Sequence, residues 1–364
     1  MSNPTGLGDL RGRVQDAVDG HIFAAARTLA ELGDEVAPLL DAVTRLLAGG
    51  KGFRAGFLYW GYRATGSPDS DALVRLAASM EFFQAGALLH DDVMDRSDTR
   101  RGMPSAHRAI ATLHGVRGWV GDGNRFGEGA AILAGDLCLT WCDELFATCG
   151  LPATDLARGR GMFDRMRTQL MGGQFLDLLE SARGWAGLDL EARLASARKV
   201  IRYKSAKYTI EHPLLIGALV GGLTGPALGP LSDFGLALGE AFQLRDDLLG
   251  VFGDPGTTGK PAGDDLREGK RTALIAYALD GVDPAQRCTF ESMLGRGDLD
   301  ADDVTTLRGI LHRSGAVERV EALISDRAEE AVAALERASR TGSLDEAATA
   351  VLRDLVDRST ARHA

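Results

Sequence analysis

Apolar residues along this chain recur three and four positions apart almost everywhere, and that period limits what it can fold into: helices packed on helices. The series Phe234, Leu238, Ala241, Leu244, Leu248 and Val251 places its apolar side chains on one helical face. Strands have little support, because runs of β-branched and aromatic residues are few and long stretches are rich in Ala, Leu, Arg and Glu. The expected fold class is all-α. Helix breaks are predicted at Gly66-Ser67-Pro68, Gly121 to Gly129, Gly150-Leu151-Pro152, Gly253 to Gly263 and Gly281 to Pro284. The last helix reads as capped by Ser343 with Glu346 reaching back, and Ala347, Val351, Leu352 and Leu355 form its apolar stripe. The charged stretch from Asp298 to Asp303 reads as a solvated turn and helix start rather than a metal site.

With 364 residues and 45% hydrophobic residues the chain buries a large core, in one domain or two. Its 41 basic and 51 acidic residues give a formal charge of −10, which argues against a general nucleic-acid binder. Cys138, Cys142, Cys149 and Cys288 show no paired metal spacing and read as reduced, core-packed thiols of a cytoplasmic protein. The start, MSNPTGLGDLRGRVQD, has no signal-peptide pattern. Pro213 to Leu231 is uncharged, but its glycines and prolines break it into a buried helix, a turn and a new helix, so no stable membrane insertion is expected.

Two acidic clusters carry the chemistry. In LLHDDVMDRSDTRRG, Asp91 and Asp95 lie one turn apart on a helix with Asp92 beside them. Like charges at that spacing repel by about 0.2–0.5 kcal/mol per pair, so the cluster calls for a cation. Magnesium suits it, since this ion is commonly held by one or two carboxylates together with waters and phosphate oxygens. Arg100 and Arg101 offer planar forks to phosphate. The plainer alternative is a solvated helix end whose aspartates pair with Arg96, Arg100 and Arg101.

The second cluster, FQLRDDLLGVFGD, repeats the chemistry with Asp246 and Asp247, and TTGKPAGDDLREGKRT follows with Lys260 and Lys270 near glycines. Further polar groups are Lys51 and Arg54 in GGKGFR, Gln174 and Asp177 in GGQFLD, and Lys204 with Ser205 in YKSAKYT. Lys207 and His212 read as structural. His90 and His107 lie near the first cluster but lack a third histidine at zinc spacing.

Taken in order, GGKGFR, DDVMDRSDTRRG, GGQFLD, YKSAKYT and FQLRDD…GD…GK…GDD…GK resemble the trans-isoprenyl diphosphate synthases, the polyprenyl synthetase family, and most closely its bacterial geranylgeranyl diphosphate synthases. The resemblance implies a type I isoprenoid synthase helical bundle around a deep central cavity. It implies a single domain over residues 1–364, with a motif-bearing core at about 49–272 and a C-terminal helical segment at about 284–364, working as a homodimer. It implies three Mg²⁺ per active site, bound by Asp91, Asp95 and Asp246, with Asp92 and Asp247 in support. Arg100, Lys204, Lys260 and Lys270 would grip the allylic diphosphate, and Lys51, Arg54, Gln84 and Arg101 the isopentenyl diphosphate. Gln174, Asp177, Ser205 and Gln243 would line the reacting region.

The chain departs from the family pattern twice, at Gly52, where an arginine is usual, and at Gly250, where the second motif usually ends in Asp. A terpene cyclase and a non-catalytic partner subunit are the alternatives to a chain-elongating enzyme. Product length is expected to depend on what lies beneath Asp91. Gly86 and Ala87, one turn back, are too small to close a cavity, and Phe83 lies about 12 Å along the helix, so the expected product is geranylgeranyl diphosphate.

Overall fold

The structure, a computed structural model, describes residues 7–50, 52–254 and 263–360. Lys51 and Lys260 lie outside the described residues. The order is α1 (Leu7–Ala30), α2 (Ala37–Leu47), α3 (Phe53–Arg63), α4 (Asp71–Met94), β1 (Thr99–Arg100), β2 (Met103–Pro104), α5 (Ala106–Val116), α6 (Gly123–Thr148), α7 (Ala153–Arg183) and α8 (Leu190–Val200). A π-helical segment, Ile201–Glu211, leads into α9 (His212–Val220) and α10 (Leu228–Phe252). The chain closes with α11 (Asp264–Glu268), α12 (Ala273–Gly281), α13 (Pro284–Met293), α14 (Ala301–Arg313), α15 (Ala316–Ser339) and α16 (Glu346–Thr360). The protein is all-α, as its apolar period predicts. It forms two compact units, one holding the described residues up to Gly159 with Gly217–Gly222, the other Arg160–Ile216 with the residues from Leu223 onward.

In the first unit α4 packs on α1, α3 and α6, while α2 and α5 pack on α6. Ser70 caps α4 by accepting from the Leu73 amide, and the helix then buries Leu73, Leu76, Met80, Phe82, Phe83 and Leu89. Its length and composition would suit a membrane span, yet 72% of the most apolar window is buried, the pattern of a core helix. Phe82 meets His21 and Trp141 edge-on, with ring centroids 5.1 and 6.0 Å away. In the second unit α10 packs along α15 and against the π-helical segment, and α12 packs on α8. The predicted face of α10 is buried throughout, and Leu244, Leu248 and Val251 join Leu274, Phe290, Leu307 and Val320 in one core.

Local geometry corrects several expectations. The uncharged run is indeed a helix, a turn and a new helix. The break predicted from Gly121 to Gly129 ends sooner: α6 begins at Gly123, where Asp122 caps it, and runs through Gly127, which is small because a Cβ there would stand 2.2 Å from the His107 carbonyl oxygen. The last helix is capped by Asp345, which accepts from the Ala348 amide at 2.9 Å, not by Ser343. Its buried stripe is Ala348, Leu352, Leu355, Val356 and Ser359, and Ala347 is exposed. Asp300 caps α14 in a capping box with Asp303, so the charged stretch is a helix start. Cys138, Cys142 and Cys149 are buried, whereas Cys288 is exposed on α13. A short hairpin, β1 with β2, is present despite the poor strand signal, because Arg101 and Gly102 both adopt positive φ (53° and 75°), the geometry of a two-residue type I′ turn.

Candidate active site

Helix α4 delivers the first aspartates at its C-terminal end. Asp91 and Asp92 fall in its last turn and Asp95 is the C-cap, its amide donating to the Asp91 carbonyl at 2.8 Å. The helix stops in a Schellman motif: the Ser97 amide donates to the Asp92 carbonyl at 3.0 Å and the Arg96 amide to that of Val93 at 3.3 Å. Arg96 holds the left-handed position at φ 54°, where glycine is usual and another residue is strained by roughly 1 kcal/mol. The hairpin that follows brings Arg100 back onto Asp92, its Nε donating to Oδ1 at 2.9 Å, with Asp91 3.7 Å from the same guanidinium. Asp92 is buried by this pair while Asp91 stays half-buried. Arg101 goes elsewhere: its Nη1 donates to the Leu46 carbonyl at 2.6 Å, and it feels Glu81 and Arg54 rather than the aspartates.

Gln84, Ala87, Leu88 and Asp91 form a half-buried stripe along α4. Gly86 is not on it. Gly86 faces α6, where a Cβ would stand 3.0 Å from the Gly135 carbonyl and from Leu139, so its smallness serves helix packing, and Phe83 is fully buried. His90 also turns to α6, with Nε2 3.0 Å from the Ile132 carbonyl, and His107 Nδ1 lies 3.1 Å from the Ser105 hydroxyl. Gly52 caps α3 at φ 67°, a left-handed conformation that suits glycine, which gives the departure from the family pattern a backbone reason.

In the second unit the π-helical segment positions Lys204 and Ser205. Three glycines seat it: a Cβ on Gly173 of α7 would lie 2.4 Å from the Tyr203 carbonyl carbon, one on Gly239 of α10 2.7 Å from Ala206 Cα, and one on Gly235 2.7 Å from Glu211 Cα. Each seat aligns functional side chains. Gln174 and Asp177 follow Gly173, and Gln243 and Asp247 continue the Gly239 face at four-residue steps. Lys204 Nζ meets Asp177 Oδ2 at 2.5 Å, and Ser205 is buried. Lys207 pairs with Glu211 at 2.9 Å, a structural role in line with the sequence reading.

Asp247 is buried and accepts from Gln243 Nε2 at 2.7 Å. Burial, which outweighs that hydrogen bond, and the charges of Asp265 and Asp246 push its carboxyl up to about 8. Asp246, half-buried, is the more open of the pair. At Gly250 a Cβ would stand 1.9 Å from Asp265 Oδ2, so the Asp265 carboxylate fills the space a side chain would need. Lys270 Nζ holds Asp265 at 3.2 Å and Glu268 at 2.5 Å. Arg100, Lys204 and Lys270, the described cations assigned to the allylic diphosphate, therefore all meet carboxylates.

Sequence reasoning passed over Glu81, Asp265 and the seat glycines. Glu81 was visible as an acid inside the apolar run MEFFQAG, and the glycines as small residues one turn before polar ones. Among the described residues no three His, Cys, Asp or Glu side chains converge as a ready-made metal cage. The donors are paired carboxylates, oxygen ligands that fit a hard ion completed by water and phosphate oxygens.

Residues 36–311 match the polyprenyl synthetase family. The chain is 32% identical to the geranylfarnesyl diphosphate synthase of Aeropyrum pernix over 75% of its length and 79% of that protein. It is 31% identical to the geranylgeranyl diphosphate synthase of Mycobacterium tuberculosis over 84% of its length and 80% of that protein. The crystal structure of the geranylgeranyl pyrophosphate synthase of Corynebacterium glutamicum, complexed with isoprenyl diphosphate and magnesium, superposes with a TM-score of 0.90 at 37% identity, covering 99% of this chain and 100% of that one. With motifs, helical architecture and relatives in agreement, the chain belongs to the polyprenyl synthetase family and is a trans-isoprenyl diphosphate synthase.

Proposed function

We propose that the enzyme condenses isopentenyl diphosphate with allylic diphosphates to geranylgeranyl diphosphate, and that residues 1–364 work as one catalytic domain. The observation that carries the reading is the end of α4, where Asp91 and Asp95 terminate a half-buried stripe of Gln84, Ala87 and Leu88. Asp91, Asp95 and Asp246 are the proposed holders of three Mg²⁺. Bound there, the ions would neutralise charge on the departing diphosphate. The donor chemistry and the magnesium in the similar Corynebacterium structure support this assignment.

Arg100, Lys204, Lys260 and Lys270 hold the allylic diphosphate, and of these Arg100, Lys204 and Lys270 exchange carboxylate partners for phosphate oxygens. Once seated on the diphosphate, these cations stabilise the negative charge that develops on it as it departs. The allylic carbon–oxygen bond breaks with its electron pair leaving on diphosphate. The alkene of isopentenyl diphosphate, held by Lys51, Arg54, Gln84 and Arg101, forms the new carbon–carbon bond at the allylic carbon. Loss of a proton to the released diphosphate leaves the trans product one isoprene unit longer. Gln174, Asp177, Ser205 and Gln243 line the reacting region and keep it ordered, with Asp92 and Asp247 steadying the neighbouring aspartates.

The proposed enzyme acts in the cytoplasm as a homodimer. Exposed apolar residues on and before α6, namely Val120, Phe126, Ile132 and Leu133, support self-association. Labelled isopentenyl diphosphate incubated with dimethylallyl, geranyl or farnesyl diphosphate and Mg²⁺ tests the activity. Incorporation ending at twenty carbons is expected, and no turnover by folded, magnesium-loaded protein would refute it. Because Ala87 lies on the open stripe, Ala87→Phe should shorten the products; an unchanged chromatogram would remove that wall as the ruler.

A further inference from the structure

Glu81 is a buried acid that the reaction as described does not use. It lies on α4 three residues before Gln84, with 8% of its surface exposed, inside an otherwise apolar stretch of the first unit. Burial, the largest effect, raises the Glu81 carboxyl, and Arg54 from α3, the Ala55 amide, Arg101 from the hairpin turn and Arg11 from α1 all act to lower it. Among the described residues its Oε1 has no hydrogen-bond partner. Its Oε2 would stand 2.8 Å from a Cβ on Gly50, so the chain ahead of α3 passes directly over the carboxylate and needs glycine there.

Two of those arginines are the ones assigned to isopentenyl diphosphate. They come from separate segments and repel each other: Arg54 and Arg100 both act to lower the Arg101 guanidinium, and burial, the largest effect, works the same way. Left alone, such cations separate. A buried carboxylate that acts on both offsets that repulsion, and two guanidinium forks held at one spacing suit a diphosphate. Arg101 is steadied further by the Leu46 carbonyl at 2.6 Å. With glycine at position 52, the site depends on the placement of the cations it keeps.

We propose that Glu81 is a positioning residue for isopentenyl diphosphate, its carboxylate drawing Arg54 and Arg101 together from two segments of the chain. This rests on the assignment of Lys51, Arg54, Gln84 and Arg101 to that substrate. An ordinary internal ion pair would support the fold and affect both substrates alike. Positioning affects one.

The test varies isopentenyl diphosphate at saturating geranyl diphosphate, and then the reverse, for Glu81→Ala, Glu81→Gln, Gly50→Ala and Arg54→Ala. Glu81→Ala and Gly50→Ala should raise the isopentenyl KM at least tenfold, while kcat and the allylic KM stay within threefold. Glu81→Gln, which keeps the shape and one acceptor oxygen, should fall between. Should Glu81→Ala not fold, Glu81→Gln and Gly50→Ala carry the same comparison. An isopentenyl KM unchanged in them, or both KM values rising together, overturns the proposal. An unchanged isopentenyl KM in Arg54→Ala overturns the substrate assignment itself; a raised one, with Glu81 variants unaffected, overturns only the role of Glu81.

Discussion

At Gly250 a single missing Cβ decides what the second acidic motif can contain. The family's usual Asp would have to share space with the Asp265 carboxylate, which Lys270 holds in place. Helix propensity favours Asp over Gly by only a few tenths of a kcal/mol, less than the roughly 1–3 kcal/mol that overpacking costs. Gly250→Asp should therefore lower the melting temperature by about 2–5 °C, and adding Asp265→Ala should restore it. Differential scanning calorimetry without metal decides; a Gly250→Asp protein as stable as the parent would contradict the packing. His212 gives a second residue-scale prediction. Burial and the charges of Lys207 and Arg165 hold its imidazole down to about 3. The unfolded chain takes up the proton at about 6.5, so the native state loses stability as pH falls below that value, by about 1.4 kcal/mol per unit until about 3. Above pH 7 the residue contributes no slope. Between pH 7 and 4.5, His212→Gln should lose about 2–3 kcal/mol less than the parent in urea titrations.

At the scale of elements, the π-helical segment is the part least visible beforehand. YKSAKYT was readable as polar residues in helical surroundings, but no residue in it announces a hydrogen-bonding pattern shifted by one position, seen where the His212 amide donates to the Lys207 carbonyl. The pattern is imposed from outside by Gly173, Gly235 and Gly239, whose bare Cα atoms admit the segment's backbone. Gly173→Ala should cost about 1–3 kcal/mol, because its Cβ meets main-chain atoms that no rotamer change can move. Lys204 would shift with them, and kcat should fall at least tenfold. Gly172→Ala is the matched control, since its Cβ meets nothing within 4 Å. Equal behaviour of the two variants would remove the seat.

For the whole molecule, the formal charge of −10 keeps copies apart unless a sizeable apolar face offsets it. Val120 is 96% exposed, and the adjacent Ile132 and Leu133 on α6 are 42% and 56% exposed, more than a solitary surface would favour. Sedimentation should give twice 38.6 kDa for the parent chain and 38.6 kDa for Leu133→Glu. A parent that sediments as a single chain would end the homodimer proposal.

The sequence by itself determined what depends on neighbours along the chain. A 3.6-residue apolar period makes helices wherever it runs, and it named the buried face of α10 correctly. The acidic motifs were equally legible, the first because carboxylates four residues apart share a helix face in any context, the second as an adjacent pair on a mostly apolar helix. Tertiary structure decided the partners. Arg100 on Asp92, Lys204 on Asp177, Asp265 against Gly250 and Glu81 against Gly50 join residues that sequence spacing leaves unrelated. Those pairings depend on how closely backbones approach and on what each approach buries, and both are set only once the helices have packed.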